Sequence, residues 1–429
     1  MGRFAHLGDC HIGAWRDQKL KEINFETFVK ALDVCIEEKV DFIIISGDLF
    51  DTNLPDLNLV GKAVDKIKEV KDKGIPVYLI YGSHDFAPNS TSMIDILNKA
   101  GLFRKVVDAE TSDESIKLNF IIDAKTKAKI TGLSGRTLGL DKKYFEMLDR
   151  EKLEKEKGFR IFVFHNSIVE FRSPHASYSE GITLSCFPKG LEYYAGGHVH
   201  EGIRHEFKDY GMFIFPGCLF GSSFTDLEIT AKGEKRGFII VDFEDKVKEV
   251  KFVEVKLTET LLKEVNATKK TAKQVYETLI KIANETDVKG KIALLKVVGE
   301  LLSGKPSDIN FNEIKQILYA RGAIVASINH YGVSTLEKSI SGQVHGANRR
   351  EIEEKILYDM VNSFKIDPSI KGSLRQKLEK ILTSENGMKL STNLLDSLKL
   401  EKQEGESKRD FEARVLKDTL HLLDLEELI

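Results

Sequence analysis

Residues 40–51 read Val-Asp-Phe-Ile-Ile-Ile-Ser-Gly-Asp-Leu-Phe-Asp. The apolar run Val40–Ser46 predicts a strand buried on both faces, the pattern of a parallel sheet covered by helices. It stops on Gly47-Asp48-Leu49-Phe50-Asp51, a glycine followed by carboxylates. Before it, Phe25, Phe28, Val29, Leu32, Cys35 and Ile36 recur at helical spacing, and after it Leu59, Val60, Ala63, Val64, Ile67 and Val70 do the same. Helix, buried strand, helix is the repeating unit of an α/β domain.

The same alternation extends over the first ~245 residues. Pro76–Tyr81, Arg160–Phe164, Glu192–Ala195, Met212–Phe215 and Gly237–Asp242 are the further strands expected there. Beyond residue 250 the texture changes. Strands at Phe252-Val-Glu-Val, Ile292–Val298 and Ala323–Ile328, with helices over about 269–284 and 309–321, predict a small α+β domain. The expected organisation is a domain at 1–250, a small α+β domain at 251–338, a linker at 339–348 and a helical tail at 349–429. The tail carries two amphipathic stretches, one with Ile352, Ile356, Leu357, Met360, Val361 and Phe364, the other with Phe411, Val415, Leu416, Leu420 and Leu423.

Composition limits the function. The chain has 429 residues, 41% of them hydrophobic, which is enough for a sizeable core. No stretch approaches the ~18 consecutive apolar residues of a membrane span. Four scattered cysteines, Cys10, Cys35, Cys186 and Cys218, fit a reduced protein without disulfides or a thiolate zinc site. The start, Met1–Leu7, lacks the features of a signal peptide, so a cytoplasmic location is expected. With 64 basic and 67 acidic residues the net charge is −3, so bulk charge gives no support to nucleic-acid binding. Local basic surface or bound cations must supply any attraction to DNA.

Histidine placement is more telling, since eight of the 11 lie in the first 205 residues. Five short motifs each begin where an apolar strand stops. They are Gly8-Asp9-Cys10-His11, Gly47-Asp48-Leu49-Phe50-Asp51, Gly82-Ser83-His84-Asp85, Phe164-His165-Asn166 and Gly196-Gly197-His198-Val199-His200. Ligands of open α/β sheets bind beyond the carboxyl ends of the strands, so the five can converge on one site. Each alone is ordinary turn or cap chemistry. All five, in order and each after a strand, point to a site for transition metals, because imidazole and carboxylate suit Mn, Fe, Co or Zn. Spacing of i, i+2 predicts Asp9 and His11 on one face of an extended strand end, and likewise His198 and His200. A carboxylate such as Asp48 can bridge two ions that clamp a phosphate.

The order DxH, GDxxD, GxHD, H, GHxH resembles the calcineurin-like metallophosphoesterase superfamily. The variants GDLFD and GGHVH, with a small domain and charged helices behind them, are similar to the SbcD-type nuclease of DNA double-strand-break repair. The motifs cover residues 8–200. The resemblance implies a metallophosphoesterase β-sandwich flanked by helices, with a small α+β capping domain and C-terminal helices. It implies two divalent ions, Mn²⁺ by expectation. Asp9, His11, Asp48 and His200 would hold one ion; Asp48 would bridge to a second, held also by His165, His198 and the residue at position 83. The family usually has asparagine there; here it is Ser83, which reads either as a weak or water-mediated ligand or as a turn residue. His84, not a ligand in the family, is the expected catalytic residue, acting on the phosphate or its leaving oxygen. Asp85 either orients His84 or caps a helix beginning near Ser90. Asp51 has no settled role, and His6, His175 and His205 are expected to be structural.

The implied function is a two-metal DNA nuclease, exonuclease and single-strand endonuclease, acting at broken ends. The implied partners are DNA, a second copy of the chain, and an SbcC-type coiled-coil ATPase docked on the C-terminal helices. Lys and Arg within 232–256 and 268–291, and the loop 172–178 with Arg172 and His175, are candidate DNA contacts. The alternatives are a phosphoesterase for small phosphodiesters or phosphoproteins, and a non-catalytic scaffold that lost its second metal.

Overall fold

The computed structural model describes the chain apart from residues 87–90, 113–114, 136–139, 172–180, 336–410, 412–413 and 418–429. The expected loop at 172–178, the linker at 339–348 and the amphipathic stretch at 352–364 lie outside the described residues. Of the last stretch, Phe411 and residues 414–417 are described, and they are helical. The chain divides into two units, one of Met1–Ala267, Lys273–Val298 and Ser307–Gly332, the other of Thr268–Ala272, Gly299–Pro306 and Val333–Ile429.

The first unit is built on two six-stranded sheets. In the first sheet, Gly2–Leu7, Phe42–Ile45, Val77–Leu79 and Arg104–Lys105 run parallel, and Gly237–Phe243 and Val247–Glu254 extend it antiparallel beyond Gly2–Leu7. In the second, Lys129–Leu133, Arg160–His165, Tyr193–Gly197 and Met212–Phe215 are parallel, with Ile121–Ile122 and Ile203–Glu206 antiparallel at its edges. The apolar run Phe42–Ile45 is explained by its two faces. Ile43 and Ile45 point to the helices Gln18–Glu37 and Leu57–Asp72, packing with Phe28, Leu32, Ala63 and Ile67. Phe42 and Ile44 point the other way, into a core between the sheets with Tyr78, Ile161, Val163 and Tyr193. Alternation along a strand thus fills both layers. Asp17 and Asp56 cap the two helices through backbone amides.

The strand containing Phe252-Val-Glu-Val is Val247–Glu254, which pairs with Gly237–Phe243 and belongs to the first sheet. The boundary expected at 250/251 therefore falls inside a strand. The small three-stranded sheet consists of Glu259–Asn266, Lys291–Leu301 and Val325–Thr335, with helices Ala272–Glu285 and Phe311–Ala320. Ile292, Leu294 and Val325 pack on Leu20, Ile23, Phe220 and Leu227, and Lys296 bonds Glu228 at 2.7 Å. Among the described residues, no helix is long and apolar enough to cross a membrane.

Candidate metal centre

All five motifs follow strands at one end of the two sheets. Asp9 and His11 follow Gly2–Leu7, Asp48 follows Phe42–Ile45, and Ser83 and His84 follow Val77–Leu79. His165 ends its strand in the second sheet, and His198 and His200 follow Tyr193–Gly197. The chain does not arrive there as an extended strand. Asp9, His11, Asp48 and His198 have φ of 48°, 44°, 48° and 83°, the left-handed region that side chains ordinarily avoid. The i, i+2 expectation is corrected accordingly: tight turns, not the pleat, aim these side chains. Such residues cost about 1–3 kcal/mol each and persist where the surroundings impose them. Here the loops impose it by pairing, since His11 N–H donates to Asp48 O at 2.9 Å and Asp51 N–H to Ile12 O at 3.1 Å. Gly47 (φ 97°) and Gly82 leave the room required. A Cβ on Gly82 would enter the Asp48 carboxylate, and one on Gly47 would strike the His165 ring.

Three imidazoles are tied on one nitrogen and present the other inward. His11 Nδ1 lies 3.1 Å from Asp51 Oδ1, His165 Nδ1 2.8 Å from Ser46 O, and His200 Nδ1 3.0 Å from Asp226 Oδ1. Each Nδ1–H donates to its oxygen, which leaves Nε2 as the nitrogen that can shed a proton and offer its lone pair to a metal. Nε2 of His11 and His200 then face each other at 3.2 Å. Two nitrogens bound to one ion at about 2.0–2.1 Å sit about that far apart. Asp48 Oδ2 lies 3.1 Å from His165 Nε2 and 3.7 Å from His11 Nε2, between the two groups. His165 Nε2 is buried and makes no hydrogen bond, although Asp48 Oδ2 stands 3.1 Å away. Such an orphan is costly unless something binds it. The residues present therefore fit divalent metal.

Ser83 Oγ donates to the same Asp48 Oδ2 at 3.4 Å, which puts position 83 at this centre. The ring of His198 is 5.3 Å from that of His165, and its backbone N–H donates to both Asp9 oxygens at 2.9 and 3.0 Å. His84 Nδ1 donates to the Asp51 carbonyl at 2.7 Å, and its side chain is 46% exposed on the open side of the centre.

The electrostatics describe a pocket shaped for cations. Burial disfavours the charged form of His165, yet Asp48 and Asp9 outweigh it and raise its pKa to about 9. Burial pushes the other way at Asp48, where His165 and His11 hold the carboxylate well below its usual range. Asp9, buried more than it is compensated, is raised.

Asp85 neither orients His84 nor caps a helix. It is buried and accepts the amides of Leu49 at 3.2 Å, Phe50 at 3.1 Å and Gly82 at 3.1 Å, stapling the second motif loop to the third. Ser92 caps the following helix, Met93–Lys99. Asp51 gains a role, since its carboxylate orients His11 and its carbonyl orients His84. His6 is buried between the sheets, bonding Tyr193 OH at 2.9 Å and Ser46 Oγ at 3.1 Å. His205 sits on an edge strand against Phe207; His175 is outside the described residues.

Two residues at the centre were not read from the sequence. Arg236, buried, donates to the carbonyls of His200 and Asp226. Asp226 is the third residue of the helix Phe224–Ala231; its Oδ2 accepts Ser223 N at 3.0 Å and Ser223 Oγ at 2.8 Å, freeing Oδ1 for His200. The Ser223-Phe-Thr-Asp226 capping box was its one local signal. Asp226→Asn removes the charge behind His200 while keeping a cap. It should weaken metal binding about 10- to 100-fold, the range for such outer carboxylates. Calorimetric metal titration checks this; unchanged affinity would show that Asp226 serves the helix alone.

Residues 2–202 match the model of the calcineurin-like phosphoesterase family. Over 60–88% of its length the chain is similar to archaeal proteins named DNA double-strand break repair protein Mre11. It is 26% identical over 388 residues to that of Methanococcus maripaludis, covering 88% of this chain and 95% of the relative. It is 24% identical over 380 residues to that of Sulfolobus acidocaldarius, covering 83% and 94%. With that of Methanopyrus kandleri it shares 28% over 272 residues, 60% of this chain and 58% of the other.

Proposed function

We propose that this chain, which carries a calcineurin-like phosphoesterase domain at residues 2–202, is a metal-dependent DNA nuclease that processes ends in double-strand-break repair. The observation that carries the chemistry is the set of tethered imidazoles whose free Nε2 atoms gather round the Asp48 carboxylate. The likeness to break-repair proteins over nearly their full length carries the substrate.

Asp9, His11, Asp48 and His200 would hold one ion, and Asp48, His165, His198 and Ser83 the other. Two divalent ions there would supply charge for the phosphate and an acidified water. The chain's own residues do the rest. Asp51, Ser46 and Asp226 fix the imidazole tautomers, Asp85 and the paired loops hold the ligands in register, and His84 faces outward from the Asp51 carbonyl to meet the leaving oxygen. The activity we propose is that of an exonuclease and single-strand endonuclease, and the location we propose is the cytoplasm.

The mixed nitrogen and oxygen set suits Mn²⁺ better than Mg²⁺. Linear single- and double-stranded DNA should be cut with Mn²⁺, weakly with Mg²⁺ alone, and not in EDTA. Full activity of metal-free protein would end the two-metal account. Apolar surface supports a homodimer: Leu54 and Leu57 are 81% and 73% exposed before and at the start of the helix Leu57–Asp72. The tail from 349 is the docking element proposed for an SbcC-type coiled-coil ATPase.

A further inference from the structure

A second cavity opens at the same end of the sandwich. Tyr81 follows the strand Val77–Leu79 of the first sheet, and Ser134 follows Lys129–Leu133 of the second. The two are joined where Tyr81 N–H donates to Ser134 Oγ at 3.2 Å and Gly135 N–H to Tyr81 O at 2.8 Å. Beyond this seam lies a space of about 190 Å³, walled by Tyr81, Phe86 and Tyr144, with Ala109, Lys105 and Ser134 also on its lining. Its lining residues are chain neighbours of residues at the metal centre. Tyr81 and Phe86 bracket the loop that carries Ser83 and His84, and Gly135, next to Ser134, lies against the His165 ring with no space for a Cβ.

We propose that this cavity receives one unpaired nucleobase of the substrate, from the nucleotide beside the phosphodiester bond that is cut. The proposal rests on the nuclease reading and deepens it. The cavity is smaller than the ~300–1,000 Å³ sites that enclose a whole cofactor or drug-sized ligand, and has room for one flat ring. Its lining sets three aromatic rings, Tyr81, Phe86 and Tyr144, among aliphatic Val107, Ile116 and Leu133, and aromatic rings are the surface on which single-stranded bases stack whatever their identity. The Tyr81 and Phe86 rings meet edge to face, centroids 6.4 Å apart, which keeps the wall rigid. Lys105 Nζ lies 4.8 Å from the Tyr81 centroid, a donor for the carbonyl and ring-nitrogen acceptors on a base. Asp95, 3.3 Å from Lys105, holds it there. A base in a duplex is stacked and paired and cannot enter without being extruded, so the cavity selects single strands and frayed ends.

The test compares cleavage of a short single-stranded oligonucleotide with that of the same oligonucleotide made abasic throughout. Wild-type protein should cut the normal strand about tenfold more efficiently, within what one stacked base contributes. In Ala109→Trp, which fills the cavity, and in Phe86→Ala, which removes a wall, that ratio should fall to about one. The ratio cancels any general loss of activity, and two variants of opposite kind guard against one that does not fold. A wild-type ratio of one, or an unchanged ratio in both variants, overturns the proposal. Failure of the nuclease reading looks different: bis(p-nitrophenyl) phosphate would be hydrolysed but neither oligonucleotide. Inhibition of that hydrolysis then decides, since dAMP should inhibit about tenfold better than 2-deoxyribose 5-phosphate in wild type alone. Equal inhibition removes the base site.

Discussion

Asp48→Ala should leave the protein without its full metal complement and lower DNA cleavage by roughly 10⁴-fold or more, equivalent to about 5 kcal/mol of lost charge stabilisation. The Asp48 carboxylate stands between ligands of both sheets. Its Oδ2 stands 3.1 Å from His165 Nε2 and accepts from Ser83 Oγ at 3.4 Å, while Oδ1 accepts His84 N–H at 2.8 Å. Taking it away leaves the buried His165 Nε2 with nothing to share, and frees the backbone that aims His84. Metal content by elemental analysis, alongside the rate, separates the outcomes. Two ions per chain in the variant would show that Asp48 is not the bridge. Melting of the metal-free variant beside metal-free wild type identifies a folding defect.

His84→Ala should lose on the order of 10²–10⁴ in rate and keep both ions. The geometry offers a competing role, since His84 Nδ1 or Nε2 lies within 4.8 Å of donor atoms of His11 and Asp48. Its tether argues for proton chemistry: Nδ1 is spent on the Asp51 carbonyl and the ring stands 46% exposed. The backbone bond from His84 N to Asp48 survives the substitution, so the bridging carboxylate stays in place. Loss should be smaller on bis(p-nitrophenyl) phosphate, whose leaving group needs little protonation. A variant that binds one ion fewer would make His84 a ligand instead.

How much was legible follows from where each signal resides. Phe42–Ile45 and Arg160–His165 are buried on both faces, so their apolar runs announced them and located the motifs that follow. Val247–Glu254 is an outer strand with mostly exposed or half-buried positions, and its weak pattern hid which sheet it joins. Ligand types were readable because metal chemistry restricts them. What holds them was not, because the partners are distant in sequence: Asp226 reaches back 26 positions to His200, and Asp85 reaches 35 and 36 to Phe50 and Leu49. The sequence pattern also could not reveal that Asp9, His11, Asp48 and His198 sit at positive φ, since only the pairing of loops imposes it.

The donors are divided between the sheets, with Asp9, His11 and Asp48 on the first, and His165, His198 and His200 on the second. An ion seated among them is therefore a cross-link as well as a reagent. By mass action, free metal at a hundred times its dissociation constant adds about 2.7 kcal/mol to the folded state. The enzyme's resistance to heat and proteolysis thereby becomes a readout of the metal supply around it.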